Sequence, residues 1–264
     1  MKLKLSHVSK HYRAFHVLKN ITFEINTGDI VGFIGNNGAG KTTSIKAIFQ
    51  ELAIDGGSIM IDDHVITIED LNKMAFFPDQ NNFPKDYSLN EYCRYNYDLS
   101  GLDLNNYETE ITEILDALDL LGNRYFKFKE LSSGMQKRAL LASVLVTNPE
   151  LIILDEPTAN VDVATRKEFI EVLKMLAHKR QITVMITSHD IEELDTFINK
   201  VVLVEAGEVV YNAPFDRTRE NLSDVYLKNL RNTKSMIDLN RIERYGDYDS
   251  RIEKAKSKKS KQFA

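Results

Sequence analysis

Gly35-Asn36-Asn37-Gly38-Ala39-Gly40-Lys41-Thr42-Thr43 lies between the apolar run Ile30-Val31-Gly32-Phe33-Ile34 and the helix-like stretch Ser44-Ile45-Lys46-Ala47-Ile48-Phe49. This is the G-x-x-x-x-G-K-[ST] pattern in the strand, loop and helix setting that it needs. Glycines let the backbone approach a phosphate and turn successive N–H groups inward, and the following helix adds the positive end of its dipole. The pattern predicts an anion cradle from Gly35 to Thr43, with a nucleotide as the first ligand to consider. Lys41 is expected to reach the β and γ phosphates, the Thr42 hydroxyl to ligate Mg²⁺, and Thr43 to bond an α-phosphate oxygen. At ~3 Å and an effective dielectric near 20, one such charge pair is worth about 5 kcal/mol before desolvation.

Working outward, 264 residues of which 43% are hydrophobic can bury a sizeable core, as one large domain or as a domain with an inserted or appended piece. No window approaches the roughly 18 uninterrupted apolar residues of a membrane span, and Met1 to Ser6 alternates like a strand, without a signal-peptide core. A cytoplasmic location is expected. Cys93 is the single cysteine, which excludes an internal disulfide and a cysteine-based metal cluster. The net charge of −5 divides unevenly, because Phe215 to Ala264 holds 13 Lys and Arg against 8 Asp and Glu. Nothing in the acidic body suggests a nucleic-acid surface, and no nucleic-acid partner is expected. The run Lys254-Ala255-Lys256-Ser257-Lys258-Lys259-Ser260-Lys261 has the composition of a disordered basic tail, either solvated or in contact with an anionic membrane surface.

Strands are expected at Lys2 to Val8, Ile21 to Ile25 and Ile30 to Ile34, with Gly28-Asp29 as a turn. Further strands are expected at Ile59 to Ile61 and Met74 to Phe77. From about Pro84 to Asn148 the pattern becomes helical, with Ile111, Ile114, Leu115, Leu118 and Leu121 on one apolar face. Buried-sheet runs return at Leu151 to Asp155 and Ile182 to Thr187, flanking a helical pattern from Ala164 to Leu176. Val201 to Glu205 and Glu208 to Tyr211 read as a closing hairpin around Gly207, and Asn212-Ala213-Pro214 as a domain edge. The fold class is α/β: a phosphate-loop core of mixed sheet flanked by helices, with an antiparallel N-terminal portion, a helical insertion at about 84–148, and a basic extension from 215 to 264.

Four further segments follow the loop in order: Leu131-Ser132-Ser133-Gly134-Met135-Gln136, Leu151-Ile152-Ile153-Leu154-Asp155-Glu156-Pro157-Thr158, Ala159-Asn160-Val161-Asp162, and Ile186-Thr187-Ser188-His189-Asp190. At the end of a buried strand, Asp155 can hold Mg²⁺ through its hydration shell, and Glu156 can take a proton from a water attacking the γ phosphate. Read alone, Ser132-Ser133-Gly134 is a helix cap.

Over about Leu3 to Pro214 the set resembles the ATP-binding cassette (ABC) family of transporter ATPases. The resemblance makes Asp155 the Walker B carboxylate and Glu156 the catalytic glutamate. It makes Ser132, Ser133, Gly134 and Met135 the signature segment that clasps the γ phosphate held by a second subunit. Ser133 stands where Gly is usual and Met135 where Gln is usual; the Met leans toward the exporter-type, ABC-2-like branch. By the same resemblance His189 is the switch histidine and Asp162 belongs to the loop that touches the opposite protomer. Tyr12 matches the aromatic that stacks on adenine, with a buried core tyrosine as the alternative. In Phe76-Phe77-Pro78-Asp79-Gln80-Asn81 the Mg²⁺- and water-binding position falls on Asp79 by order and on Gln80 by chemistry, and both stay open.

The resemblance thus implies an ATP- and Mg²⁺-dependent ATPase that pairs with a second ATP-binding subunit, a copy of itself or a paralogue, and drives separate transmembrane permease subunits. It would sit on the inner face of the membrane, exporting a peptide, antibiotic or related compound. The aromatics Phe76, Phe77, Phe83, Tyr87, Tyr92, Tyr95 and Tyr97 are either a docking surface for those subunits or internal core. Rival classes are a soluble cassette ATPase without a transport role and a nucleotide sensor that does not hydrolyse.

Overall fold

The computed structural model describes residues 1–13, 15–78 and 85–230. Asp79, Gln80 and Phe83, and the basic run from Lys254 to Lys261, lie outside the described residues. The strands are β1 (Leu3–Tyr12), β2 (Phe15–Ile25), β3 (Ile30–Ile34), β4 (Gly56–Ile61), β5 (His64–Val65), β6 (Met74–Phe77), β7 (Leu151–Asp155), β8 (Thr183–Thr187), β9 (Lys200–Glu205) and β10 (Glu208–Pro214). The helices are α1 (Lys41–Ile48), α2 (Ile68–Asn72), α3 (Leu89–Leu99), α4 (Tyr107–Ala117), α5 (Ser133–Leu145), α6 (Val163–Arg180), α7 (Ile191–Asp195) and α8 (Leu222–Asn229).

The strands make a sheet in the order β5-β4-β1-β2-β10-β9-β3-β8-β7-β6. Strands β6, β7, β8, β3 and β9 run parallel to one another, β10 pairs antiparallel with β9, and β1, β2, β4 and β5 pair antiparallel. A short parallel pairing of Glu208 with Asn20 joins the two parts. Continuous apolar runs fit the parallel part because both of its faces are covered. Along β3, Ile30 and Ile34 enter one core while Val31 and Phe33 enter the other. Strands β7, β8 and β9 alternate likewise, with Leu154, Ile186 and Leu203 on the first face and Ile153, Met185 and Val202 on the second. This two-sided burial fixes where the strand ends β3, β7 and β8 open, and the loops that follow them are the site.

The stretch expected as a helical insertion, about 84–148, holds α3, α4 and α5. Helix α3 begins at a reciprocal cap in which the Ser88 hydroxyl accepts from Glu91 N–H and the Glu91 carboxylate accepts from Ser88 N–H. The expected apolar face is realised at Ile111 and Leu115, with Ile114 and Leu118 packed beside them. Leu121 departs from it and is exposed, since α4 stops at Ala117 and a short 3₁₀ turn rotates Leu121 away. The first two strands extend further than expected and meet in a hairpin pairing Tyr12 with Phe15. The aromatics divide: Phe77 and Tyr97 are buried, Tyr92 packs on the core, and Phe76, Tyr87 and Tyr95 are exposed. Cys93 is buried, and desolvation pushes its thiol far up, which leaves an inert core residue.

The compact unit runs from Met1 to Asn229, past the edge expected at Pro214. Phe215, Leu222 and Val225 belong to the main core, and Phe215 N–H donates to the Asn199 carbonyl at 2.8 Å.

Candidate functional site

The phosphate loop is held from outside by backbone. A Cβ on Gly35 would lie 2.2 Å from the Val204 carbonyl oxygen, and Gly40 adopts φ 108°, a conformation open to glycine. Inside the loop Ala39 N–H donates to the Asn36 carbonyl at 3.0 Å. From the β9–β10 turn, Gly207 N–H donates to the Ala39 carbonyl, while the Gly207 carbonyl accepts from Lys19 and Asn20 of β2. Gly207 has φ 82°, and a Cβ there would meet the Val17 carbonyl oxygen at 2.3 Å. The sequence showed Gly207 only as a hairpin turn; its grip on the loop is a long-range contact.

Asn36, Asn37, Gly38 and Thr42 are exposed, Ala39 and Gly40 are buried, and Thr43 is half-buried. Helix α1 starts without a side-chain cap, which leaves its first N–H groups open to an anion. Lys41 Nζ donates to the Gly35 carbonyl at 2.6 Å and to that of Asn36 at 3.4 Å. Burial pushes the Lys41 ammonium below its ordinary pKa, against the pull of Glu156 and Asp155. Those three charges therefore share one neighbourhood.

At the ends of β7 and β8, Asp155 pairs in register with Thr187, whose hydroxyl donates to Asp155 Oδ1 at 2.5 Å. Glu156 turns out of the strand at φ 47°. Its N–H donates to the Thr187 carbonyl at 3.1 Å. A left-handed non-glycine residue costs about 1–2 kcal/mol, and the turn aims the Glu156 carboxylate at β8's loop. There His189 N–H donates to Glu156 Oε2 at 3.3 Å, and His189 Nε2 lies 3.3 Å from Oε1. The Glu156 carboxyl is pushed up, by burial first, against the lowering influence of His189 and Lys41. A half-buried carboxylate with a raised pKa beside an imidazole is suited to accept a proton.

Sequence reading missed the polar network behind this pair. The Thr158 hydroxyl donates to Glu193 Oε1 at 2.7 Å, and Arg166 Nη1 donates to Asp190 Oδ2 at 2.9 Å. Arg166 Nε lies 3.2 Å from Glu193 Oε2. Burial raises the Glu193 carboxyl, with Thr158 and Arg166 opposing. The network ties α6, which Asp162 caps through Ala164 and Thr165 N–H, to α7, which Asp190 caps beside His189. The one local signal that could have pointed to it is Asp190, a helix-capping residue type directly after His189.

Ser132 caps α5 by accepting from Met135 N–H at 3.3 Å. Ser132 and Ser133 are exposed; Gly134 and Met135 are half-buried. No hydrogen bond or ion pair among the described residues joins these four to Lys41, Asp155, Glu156 or His189. The link between α5 and Glu156 is instead Lys137, whose buried ammonium lies 3.5 Å from the Glu156 carbonyl oxygen and 5.4 Å from the centroid of the Phe77 ring. Tyr12 is 45% exposed at the tip of the β1–β2 hairpin, so it is not a core tyrosine. Gly40 packs against Leu18 of the same hairpin. Asp79 and Gln80 lie outside the described residues.

Thr42 and Asp155 offer hard oxygen donors, and among the described residues no group of three or more His, Cys, Asp or Glu side chains could cage a metal. Such a donor set fits Mg²⁺ shared with phosphate oxygens. No helix among the described residues is long and apolar enough to cross a membrane.

Comparison with known proteins gives the same direction. Residues 18–159 match the family model described as ABC transporter. A Mycoplasma pneumoniae relative, named for an ABC transporter's ATP-binding role, is 31% identical over 220 residues; the match covers 80% of this chain and 66% of that protein. The zinc uptake system ATP-binding protein ZurA of Listeria innocua is 31% identical over 237 residues, covering 84% of this chain and 89% of ZurA. Among solved structures, a bacterial ABC transporter cassette described as dimeric is 25% identical with a TM-score of 0.72, covering 81% of this chain and 99% of that one.

Proposed function

The chain belongs to the ABC transporter family as an ATP-binding subunit, and from that premise we propose that it forms a head-to-tail pair, hydrolyses ATP between the two protomers, and drives separate transmembrane permeases. Each ATP would lie between the phosphate loop of one protomer and Ser132 and Gly134 of the other. The observation that carries this reading is the meeting of Glu156 with His189, 3.3 Å apart, beside Lys41.

In this reading Lys41 and the loop N–H groups bind the β and γ phosphates, and Tyr12 stacks on the adenine. Glu156 takes a proton from the water whose oxygen attacks the γ phosphorus, while the bond to the ADP oxygen breaks. His189 holds Glu156 in place and reaches a γ-phosphate oxygen. Thr42 and Asp155, together with Asp79 or Gln80, would hold Mg²⁺, which when bound supplies positive charge to the phosphate oxygens. Asp162 contacts the opposite protomer, so that the Arg166 and Glu193 network carries its position to His189.

A groove of about 480 Å³ beside β6, lined by Leu71, Phe76, Tyr92, Asn96, Leu99 and Val144, supports the docking of a permease helix there. The inner face of the membrane is then the place of work. Export of a peptide, antibiotic or related compound is supported by the Gly134-Met135 form alone; the Listeria relative is named for uptake at 31% identity. A soluble ATPase without transport is the second reading. Co-purification of a polytopic membrane protein with the full chain from detergent extracts, and stimulation of phosphate release by that protein, supports the transport reading; full activity with no such partner supports the other.

A further inference from the structure

Helix α8 follows the last strand and is strapped to the body at several points. Phe215 is buried, Arg217 Nη1 donates to the Thr196 carbonyl at 3.0 Å, and Leu222 N–H donates to Asp195 Oδ1 at 2.7 Å. Leu222 and Val225 enter the main core, and Tyr226 packs on its edge. From that edge the Tyr226 hydroxyl donates to Asn36 Oδ1 at 2.8 Å, across 190 residues of sequence. Asn36 is the first exposed residue of the phosphate loop. Its carbonyl accepts from Ala39 N–H at 3.0 Å and from Lys41 Nζ at 3.4 Å. Burial, followed by the nearby Glu205, raises the Tyr226 hydroxyl, which keeps it a donor at neutral pH.

We propose that Tyr226 is a positioning residue of the nucleotide site: α8 straps the exposed shoulder of the phosphate loop through Asn36, so that ATP affinity depends on a helix outside the nucleotide-binding motifs. Gly207 fixes the loop from the sheet side at Ala39, and Tyr226 fixes it from the opposite end at Asn36. With both ends held, less loop freedom is lost when phosphates bind, which is affinity gained by preorganisation. The strap acts before chemistry, because Tyr226 touches the loop and neither Glu156 nor His189.

This inference rests on the ATPase reading, and the test separates the two. Mant-labelled ATP with Mg²⁺ is titrated into the full-length wild type, Tyr226→Phe, Asn36→Ala and the double variant, with steady-state phosphate release and thermal melting alongside. Tyr226→Phe should raise Kd and KM together by about two- to tenfold, the range of one hydrogen bond, with kcat unchanged and the nucleotide-free Tm lower by no more than about 4 °C. The double variant should bind no more weakly than Asn36→Ala alone. Wild-type affinity in Tyr226→Phe, additive losses in the double variant, or a lower Tm with unchanged Kd overturns the strap. A wild type that binds no ATP overturns the ATPase reading instead.

Discussion

At the phosphate loop, an added Cβ on Gly35 or Gly207 would lie 2.2–2.3 Å from a backbone oxygen. At the signature segment, a Cβ on Gly134 would meet nothing nearer than the Thr165 hydroxyl at 3.3 Å, and the one local cap is Ser132. Both segments open helices, but the loop is wedged between β2 and the β9–β10 turn, whereas Ser132 and Ser133 stand exposed. The loop is therefore finished within one chain. The signature segment is proposed to be completed by a second protomer, and on that proposal substitutions in the two should fail in different ways.

The largest expected effect tests neither segment but the group that both would serve. Glu156→Gln should lower turnover by ~10²- to 10⁴-fold while ATP still binds, as measured by phosphate release beside equilibrium binding. Unchanged turnover would remove Glu156 from the chemistry and leave the contrast without a common centre. Next comes the loop's own charge. Lys41→Ala should weaken ATP binding by roughly 10- to 100-fold in the isolated chain, the range for a lost hydrogen bond from a charged group. Gly134→Ala should leave that same affinity unchanged and abolish ATP-driven pairing; equal losses of affinity would erase the difference between the two segments.

Stability sharpens the comparison further. Gly207→Ala should cost about 1–3 kcal/mol in denaturant unfolding, since the new methyl has a backbone oxygen in its way and φ stays positive. Gly134→Ala should stay within about 0.5 kcal/mol, because its nearest neighbour is a side-chain hydroxyl 3.3 Å away rather than backbone, and no positive φ is required there.

The smallest effect is in pH. Burial lifts the Glu156 carboxyl above its usual range, so the base form is gained only as pH rises through that raised value. Turnover should accordingly fall on acidification at a higher pH than an ordinary glutamate would give. His189→Ala, which removes a group that lowers the Glu156 pKa, should move that acid limb further up in the pH profile of kcat/KM, which reports the nucleotide-free protein.

What the sequence disclosed follows from range. Ile30 to Ile34 and Leu151 to Asp155 are buried on both faces, so a continuous apolar run is a strong local sign, and the loop and carboxylates at their ends came with them. The hairpin reaching Tyr12 and Phe15 was not legible, because both residues are exposed and the strands lose their apolar alternation there. Leu121 kept helical spacing in the sequence although the helix had already ended. The grip of Gly207 on Ala39, the bond from Thr158 to Glu193 and the reach of Tyr226 to Asn36 join residues far apart in the chain, and no local pattern encodes them.

The proposal that one working site needs two chains is tested most directly by mixing two dead ones. Lys41→Ala lacks a working phosphate loop, and Gly134→Asp lacks a working signature segment and places a carboxylate where phosphate would sit. If the protomers pair at random in an equimolar mixture, half of the pairs are mixed, and each mixed pair has one intact composite site. Phosphate release should therefore return to about a quarter of the wild-type rate if the sites act independently. Silence in the mixture, or full activity of Gly134→Asp by itself, would contradict a site completed by a second protomer.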